Sequence, residues 1–291
     1  MSDFLGASWK LEETHATCGG PGWLWSMDVR QPEAGVFLRY WSGEPPAADR
    51  EPKAAVFALS LGGQAAQTLR LCDVFAKGEH LYSRYEAGTA GRPGEGLEIH
   101  VGLTAGRITG ETREPAGLPA QRQAEEYVLQ AVITARTDSL CLERDVRIGF
   151  RGSAESISWQ GVALDDADRS RATVPLPLDA DDAGGSKRTA VHGEFLFPII
   201  TFPESASVLG LLVHPAGIRP LKPEHPSGPL LVDLRAGEFS IVYRLFPVRL
   251  EKGVTVRGVC RLFLLNQENA TQRLADAARR FLASPPPLTD N

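Results

Sequence analysis

The sequence has few cysteines and no long apolar run, and both absences narrow the range of folds. Cys18, Cys72, Cys141 and Cys260 lie far apart among 291 residues, and none belongs to a C-x-x-C pair. Structural zinc sites usually have paired ligands at short spacing, so we do not expect one. No stretch reaches the roughly 20 apolar residues that a membrane-spanning helix needs. The N-terminus, MSDFLGASWKLEE, lacks the basic and apolar regions of a secretory signal, so we predict a cytoplasmic protein without a membrane partner.

Clustered positive charge is also lacking. The chain carries 31 Lys and Arg against 36 Asp and Glu, a formal net charge of -5. Because binding to a nucleic-acid backbone depends on clustered Lys and Arg, we predict no nucleic-acid partner.

Several sequence motifs that would indicate catalysis or cofactor binding are missing. There is no strand–helix glycine fingerprint, no G-x-S-x-G and no H-E-x-x-H, which disfavours dinucleotide binding and two kinds of hydrolytic centre. The run DADDAG at 179–184 begins like a calcium-binding loop, but Ala190 occupies the twelfth position, where a carboxylate is needed. We therefore predict no cofactor and no metal ion.

What the sequence has instead is apolar residues at every second position in many short segments. In WLWSMDV, Trp23, Trp25, Met27 and Val29 fall on one face, and the same alternation recurs in GLEIHVGL, GEFSIVYRL and VTVRGVCRLFLL. Successive strand residues point to opposite faces, so this pattern is typical of antiparallel sheets with one covered face. Roughly a dozen such segments, separated by turn residues, predict an all-β fold, a large antiparallel β-sandwich.

One helix is predicted near the C-terminus, just before the run Ser-Pro-Pro-Pro. Asn269 is a candidate N-cap, and Gln272 stands at the position that completes a capping box. The apolar stripe of this helix consists of Leu274, Ala277, Ala278, Phe281 and Leu282.

The predicted domain organisation is one large β-sandwich over residues 1–284, followed by a Pro-rich tail at 285–291. The segment 164–192 is rich in Asp, Pro and Gly and has few large apolar residues, which indicates a long exposed connection. It is either a loop over a binding face or a linker. Two smaller sandwiches divided near 164–192 are therefore the alternative.

Two kinds of tryptophan are distinguished by their surroundings. Trp23 and Trp25 follow the turn Gly-Gly-Pro-Gly and share a face with other apolar residues, which favours the core of a sheet over a ligand platform. Trp41 ends a strand against a polar loop, on the same face as Arg39. Trp41 is thus the better candidate for an aromatic side chain that faces a ligand.

Three further segments place polar side chains together on strand faces. HLYSRY puts Tyr82 and Arg84 on one face, and His100 lies on the polar face of GLEIHVGL. His192 and Glu194 alternate onto one face at the exit of the long connection, where such a pair could act as acid and base on a sugar hydroxyl or ring oxygen. The alternative reading of these residues is an ordinary solvent-facing strand surface.

The C-terminal third, from SVLGLLVHPAG to the helix that ends in AARRFL, resembles the strands that close galactose-mutarotase-like supersandwich domains. The resemblance rests on the strand pattern and not on a catalytic motif. The middle segment LCDVFAKGEHLYSRYE is similar to uncharacterised bacterial proteins. The resemblance implies a large antiparallel β fold that handles carbohydrate on a sheet face.

The function that these observations favour is a carbohydrate-binding module. Trp41 and Tyr82 would stack on the sugar, while arginines would bind its hydroxyl groups. The predicted ligand-binding residues are Arg39, Trp41, Tyr82, Arg84 and His100, and His192 with Glu194 would orient the sugar or transfer protons. One alternative is a sugar-processing enzyme, an epimerase or a lyase, that uses this His–Glu pair. Another is a non-enzymatic scaffold that binds a protein partner or a second copy of itself.

Overall fold

A computed structural model describes most of the predicted strands and the helix. The described residues are 4–5, 7–20, 23–40, 54–62, 67–89, 92–108, 126–138, 145–163, 194–202, 207–214, 231–235, 237–246, 250, 252–266 and 269–283. Of the predicted residues, Trp41, Cys141 and His192 lie outside these ranges, as does the whole segment 164–192.

These residues form seventeen strands and one helix. In chain order, the elements are β1 Phe4–Leu5, β2 Trp9–Glu12, β3 His15–Gly20, β4 Trp23–Asp28, β5 Val36–Tyr40, β6 Ala54–Gly62, β7 Gln67–Lys77, β8 His80–Thr89, β9 Arg92–Ile108, β10 Glu126–Thr137, β11 Asp145–Ser153, β12 Ser156–Ala163, β13 Glu194–Thr201, β14 Ser207–Val213, β15 Leu231–Arg235, β16 Glu238–Leu245, β17 Thr255–Asn266 and α1 Ala270–Leu282.

The strands make two antiparallel sheets. The larger sheet has the order β12-β13-β14-β17-β10-β9-β8-β7, with the short β1 also paired to β9. The smaller sheet has the order β15-β16-β11-β6-β5-β4-β3-β2. The prediction of an all-β sandwich with a short C-terminal helix is confirmed.

The two sheets share one apolar core, built by the alternation read from the sequence. Trp23 and Trp25 are 2% and 0% exposed, and the ring of Trp23 lies 4.9 Å from that of Tyr127 in the opposite sheet. The hydroxyl of Tyr85 donates a hydrogen bond of 2.9 Å to the carbonyl oxygen of Val29. The two tryptophans are therefore core residues, as predicted, and do not form a ligand platform.

The strands on either side of the long connection are neighbours. β12 pairs with β13 antiparallel, from Ser156 opposite Thr201 to Ala163 opposite Glu194. The chain between them therefore leaves and re-enters the sheet at the same end. A single domain over 1–284 stays a prediction.

Helix α1 packs on the side of the larger sheet that faces away from the shared core. Leu274, Ala278 and Phe281 are fully buried there and form a second apolar cluster with strand residues such as Val208 and Leu212. The predicted apolar stripe is thereby confirmed. Among the described residues, no helix is long and apolar enough to cross a membrane.

The predicted N-terminal cap of this helix is wrong. Asn269 does occupy the N-cap position, but its side chain makes no capping hydrogen bond. Its backbone has φ 56 and ψ 18, in the left-handed region, instead of the extended conformation in which a cap side chain usually bonds the first turn. The Gln272 side chain donates to the Asp276 carboxylate at 3.3 Å, one turn further along, and so completes no capping box.

The cysteines give a direct test of this packing. Cys18 and Cys260 are buried, whereas Cys72 is half-exposed on β7. Burial raises the pKa of Cys18 to about 12 and raises that of Cys260 as well. Since the thiolate is the reactive form, we expect iodoacetamide at pH 8 to modify Cys72 while Cys18 and Cys260 resist until denaturant is added. Peptide mass spectrometry would measure this order, and modification of Cys260 before Cys72 would contradict the packing.

Candidate functional site

The outer side of the larger sheet carries the candidate site, on the five neighbouring strands β7, β8, β9, β10 and β17. Cross-strand pairing aligns its side chains in three rows. The central row is Phe75, Tyr82, Gly102, Val132 and Val259. The two flanking rows are Asp73, Arg84, His100, Thr134 and Arg257 on one side, and Lys77, His80, Thr104, Gln130 and Arg261 on the other. We call these three rows the platform face.

The central row begins with two aromatic rings. Phe75 is 51% exposed, and its ring stacks on that of Tyr82 with centroids 4.9 Å apart and planes inclined by 28°. Gly102 follows Tyr82 on the next strand. A Cβ atom placed on Gly102 would meet only the carbonyl oxygen of Val132, at 3.9 Å, so the space beside Tyr82 is open. The row thus offers an aromatic surface next to a shallow apolar position.

Phe75 reaches this surface because β7 contains a β-bulge. Its pairing with β8 shifts register between Leu71 and Asp73, at Cys72. Strict alternation would place Phe75 on the same face as Leu71, toward the core. The extra residue reverses the alternation, because a bulge sets two residues of one strand opposite one of its partner. Sequence reasoning missed Phe75 for this reason.

Beside the aromatic rings runs a chain of hydrogen bonds. The Arg84 Nη1 donates to Glu98 Oε1 at 3.0 Å, and the same carboxylate oxygen lies 3.3 Å from Nε2 of His100. The other ring nitrogen of His100, Nδ1, contacts the hydroxyl of Tyr82. Glu98 therefore orients both a guanidinium and an imidazole, and the imidazole in turn fixes the Tyr82 hydroxyl.

The charges of this chain follow from its contacts. Partial burial acts to raise the pKa of Glu98, but the hydrogen bond from Arg84 and the charge of His100 outweigh it and hold the pKa below its usual value. Partial burial, followed by the negative charge of Glu98, raises the pKa of Tyr82. At neutral pH, Glu98 is thus ionised and Tyr82 stays a protonated phenol. Tyr82 is consequently suited to hydrogen bonding and not to attack as a phenolate.

Three of the predicted site residues come together here, namely Tyr82, Arg84 and His100. Arg39 lies on β5 in the smaller sheet, so it is not part of the platform face. Glu194 is the first residue of β13, and its side chain is not among those that the structure describes. The described residues contain no group of three His, Cys, Asp or Glu side chains that could hold a metal ion.

Comparisons with known proteins give no close match. No family model matches the sequence, and no curated protein matches it. A solved structure that it resembles is that of a protein assigned as a kojibiose phosphorylase, from the human microbiome. That likeness has a TM-score of 0.40 and 8% identity, and covers 91% of this chain. This chain spans 32% of that protein's length.

Proposed function

We propose that this protein binds a carbohydrate on the platform face. The observation that carries the proposal is the exposed stack of Phe75 on Tyr82, beside the ion pair of Arg84 with Glu98. Sugars present apolar C–H faces to aromatic rings and hydroxyl groups to planar polar side chains. A single sugar ring must reach both an aromatic side chain and planar polar side chains. Here the two kinds of side chain lie next to each other.

The aromatic part of the site is available to a ligand. An aromatic side chain that is 51% exposed keeps about half of its surface in water, and covering it with another apolar surface is favourable. The open position at Gly102 extends this surface toward Val132. A sugar ring that covers Tyr82 and Gly102 would therefore bury apolar area without displacing a side chain.

The polar part of the site is pre-organised. Arg84 and His100 are both held by Glu98, so a ligand need not order two flexible side chains on binding. Free donors of Arg84 and the acceptor oxygens of Glu98 can bind adjacent sugar hydroxyls. The raised pKa of Tyr82 keeps its hydroxyl protonated, which favours binding over nucleophilic catalysis by this residue.

A glycine substitution tests the proposal without removing any side chain. We expect Gly102→Val to reduce sugar binding at least about tenfold, because the new methyl groups would fill the space beside Tyr82. The fold should be retained, since the site is open and β-branched residues favour strands. A glycan array would identify a bound sugar, and calorimetric titration would then compare the variant with the natural protein.

The matched control is Gly149→Val, the same change on β11 in the other sheet. A Cβ atom there makes only ordinary contacts of 3.6 Å with Ala58. We expect this variant to bind sugar normally. A blank glycan array, or equal loss of binding in both variants, would remove the proposed function.

A further inference from the structure

The platform face changes in charge balance from one side to the other. On β7 and β8 each arginine has a carboxylate partner, Arg70 with Glu86 and Arg84 with Glu98. On β10 and β17 the residues of the platform face include two arginines and no Asp or Glu. The arginines of the β17 side therefore lack the carboxylate partners that the arginines of β7 and β8 have.

The two arginines of β17 differ in their contacts. Arg261 is engaged, because its Nε donates to Gln130 Oε1 at 2.6 Å and its guanidinium lies 4.9 Å from the ring centroid of Phe281. Arg257 makes no ion pair with the described residues, and its Nε is buried without a hydrogen-bond partner among them. A buried polar atom without a partner is unfavourable until one is supplied. Arg257 is thus an arginine of this face whose charge is not balanced by a carboxylate in the described part of the chain.

Position connects Arg257 to the proposed sugar site. It lies directly opposite Thr134, which lies opposite His100, and it is next to Val259 of the central row along β17. Neighbouring strands are about 4.8 Å apart and strand residues about 3.4 Å apart, so Gly102 on β9 and Arg257, two strands away and two residues further along, are roughly 12 Å apart. A ligand that begins on the aromatic rings and extends along the central row would reach Arg257 with its far end.

We propose that the sugar bound on the platform face carries an anionic group, and that Arg257 binds this group while Phe75 and Tyr82 bind the sugar ring. This inference rests on the proposed function and specifies its ligand class. A guanidinium binds carboxylate and phosphate oxygens through paired hydrogen bonds. The hydroxyl of Thr134, directly across from Arg257, is placed to donate to the same group.

A glycan array with matched pairs tests this inference. Each uronic-acid glycan is printed as the free acid and as its methyl ester, and each phosphorylated glycan beside its dephosphorylated form. We expect the anionic member of a pair to bind roughly tenfold more tightly, the scale of a charge-assisted hydrogen bond. Preference for the acids or for the phosphates then identifies which anionic group is bound. The preference should also shrink at high salt, because salt screens charge interactions.

Two variants assign the preference to Arg257. Arg257→Gln should bring the anionic glycan down to the level of its neutral partner, while binding of the neutral glycan is unchanged. Arg257→Lys should restore part of the preference, because it keeps the charge but loses the planar fork. Arg151→Gln is the control. This substitution removes the same charge from an exposed position on β11, in the other sheet. Thermal unfolding of each variant verifies that it is folded.

The outcomes separate this inference from the proposed function. Equal binding of anionic and neutral glycans, or an anionic preference that survives Arg257→Gln, overturns the role of Arg257 and leaves the sugar site standing. An array on which no glycan binds overturns the sugar site and the inference together.

Discussion

Leu274→Ala is expected to lower the free energy of unfolding by about 2–5 kcal/mol, the range for removing a buried leucine side chain. Leu274 is fully buried between α1 and the outer side of the larger sheet. Beneath it lies Gly210 of β14. A Cβ atom on Gly210 would lie 2.9 Å from Leu274 Cδ1 and closer still to Cδ2. Gly210→Val should therefore also destabilise the protein, by about 1–3 kcal/mol, through overpacking.

The double variant Leu274→Ala, Gly210→Val tests whether the two residues are in contact or lower the stability independently. In the double variant the new valine occupies space that the leucine has vacated, so its destabilisation should be clearly less than the sum of the two single values. Urea unfolding of the four proteins gives the coupling energy. Gly102→Val, where a Cβ atom has no close neighbour, should change stability by less than about 0.5 kcal/mol. Strict additivity would show that α1 does not rest on Gly210.

Phe75→Ala is expected to reduce sugar affinity at least about tenfold, as truncation of an aromatic anchor commonly does. Stability should change little, by less than about 1 kcal/mol, because Phe75 is 51% exposed. Phe75→Trp should retain binding, since it keeps an aromatic ring over Tyr82. Calorimetric titration against a sugar found on the array would measure these affinities.

The matched control for this change is Val254→Ala, which also truncates an exposed apolar side chain, 37% accessible, outside the central row. It should leave sugar binding unchanged. Equal affinity of Phe75→Ala and the natural protein would show that the exposed ring serves another purpose, such as contact with a protein partner.

Which side chains are buried could be predicted well, because burial follows from alternation along a strand. Trp23, Trp25 and Ile99 illustrate this, since each is buried on the face that the pattern assigns. The same pattern placed Tyr82 and Arg84 together, because two residues on one strand share a face whatever the pairing. Local periodicity thus determines both results.

Features that depend on pairing or on local irregularity could not be predicted in the same way. His100 meets Arg84 only because β8 and β9 pair in that register. Arg39 lies in the other sheet because β5 belongs to the smaller sheet, and periodicity along a strand does not encode which sheet the strand joins. Phe75 faces outward because of one extra residue at Cys72. The Asn269 cap is absent because its backbone adopts a left-handed conformation.

The position of β17 has a consequence for the order of folding. It lies between β14 and β10, and Arg261 pairs with Gln130, a residue encoded far earlier in the chain. During synthesis, strands β7 to β10 and strands β12 to β14 cannot join into one sheet until β17 has left the ribosome. Long-range pairings of this kind form slowly and leave strand edges uncovered in the meantime. The nascent chain is therefore most vulnerable to aggregation in the interval after β14 has emerged and before β17 has emerged.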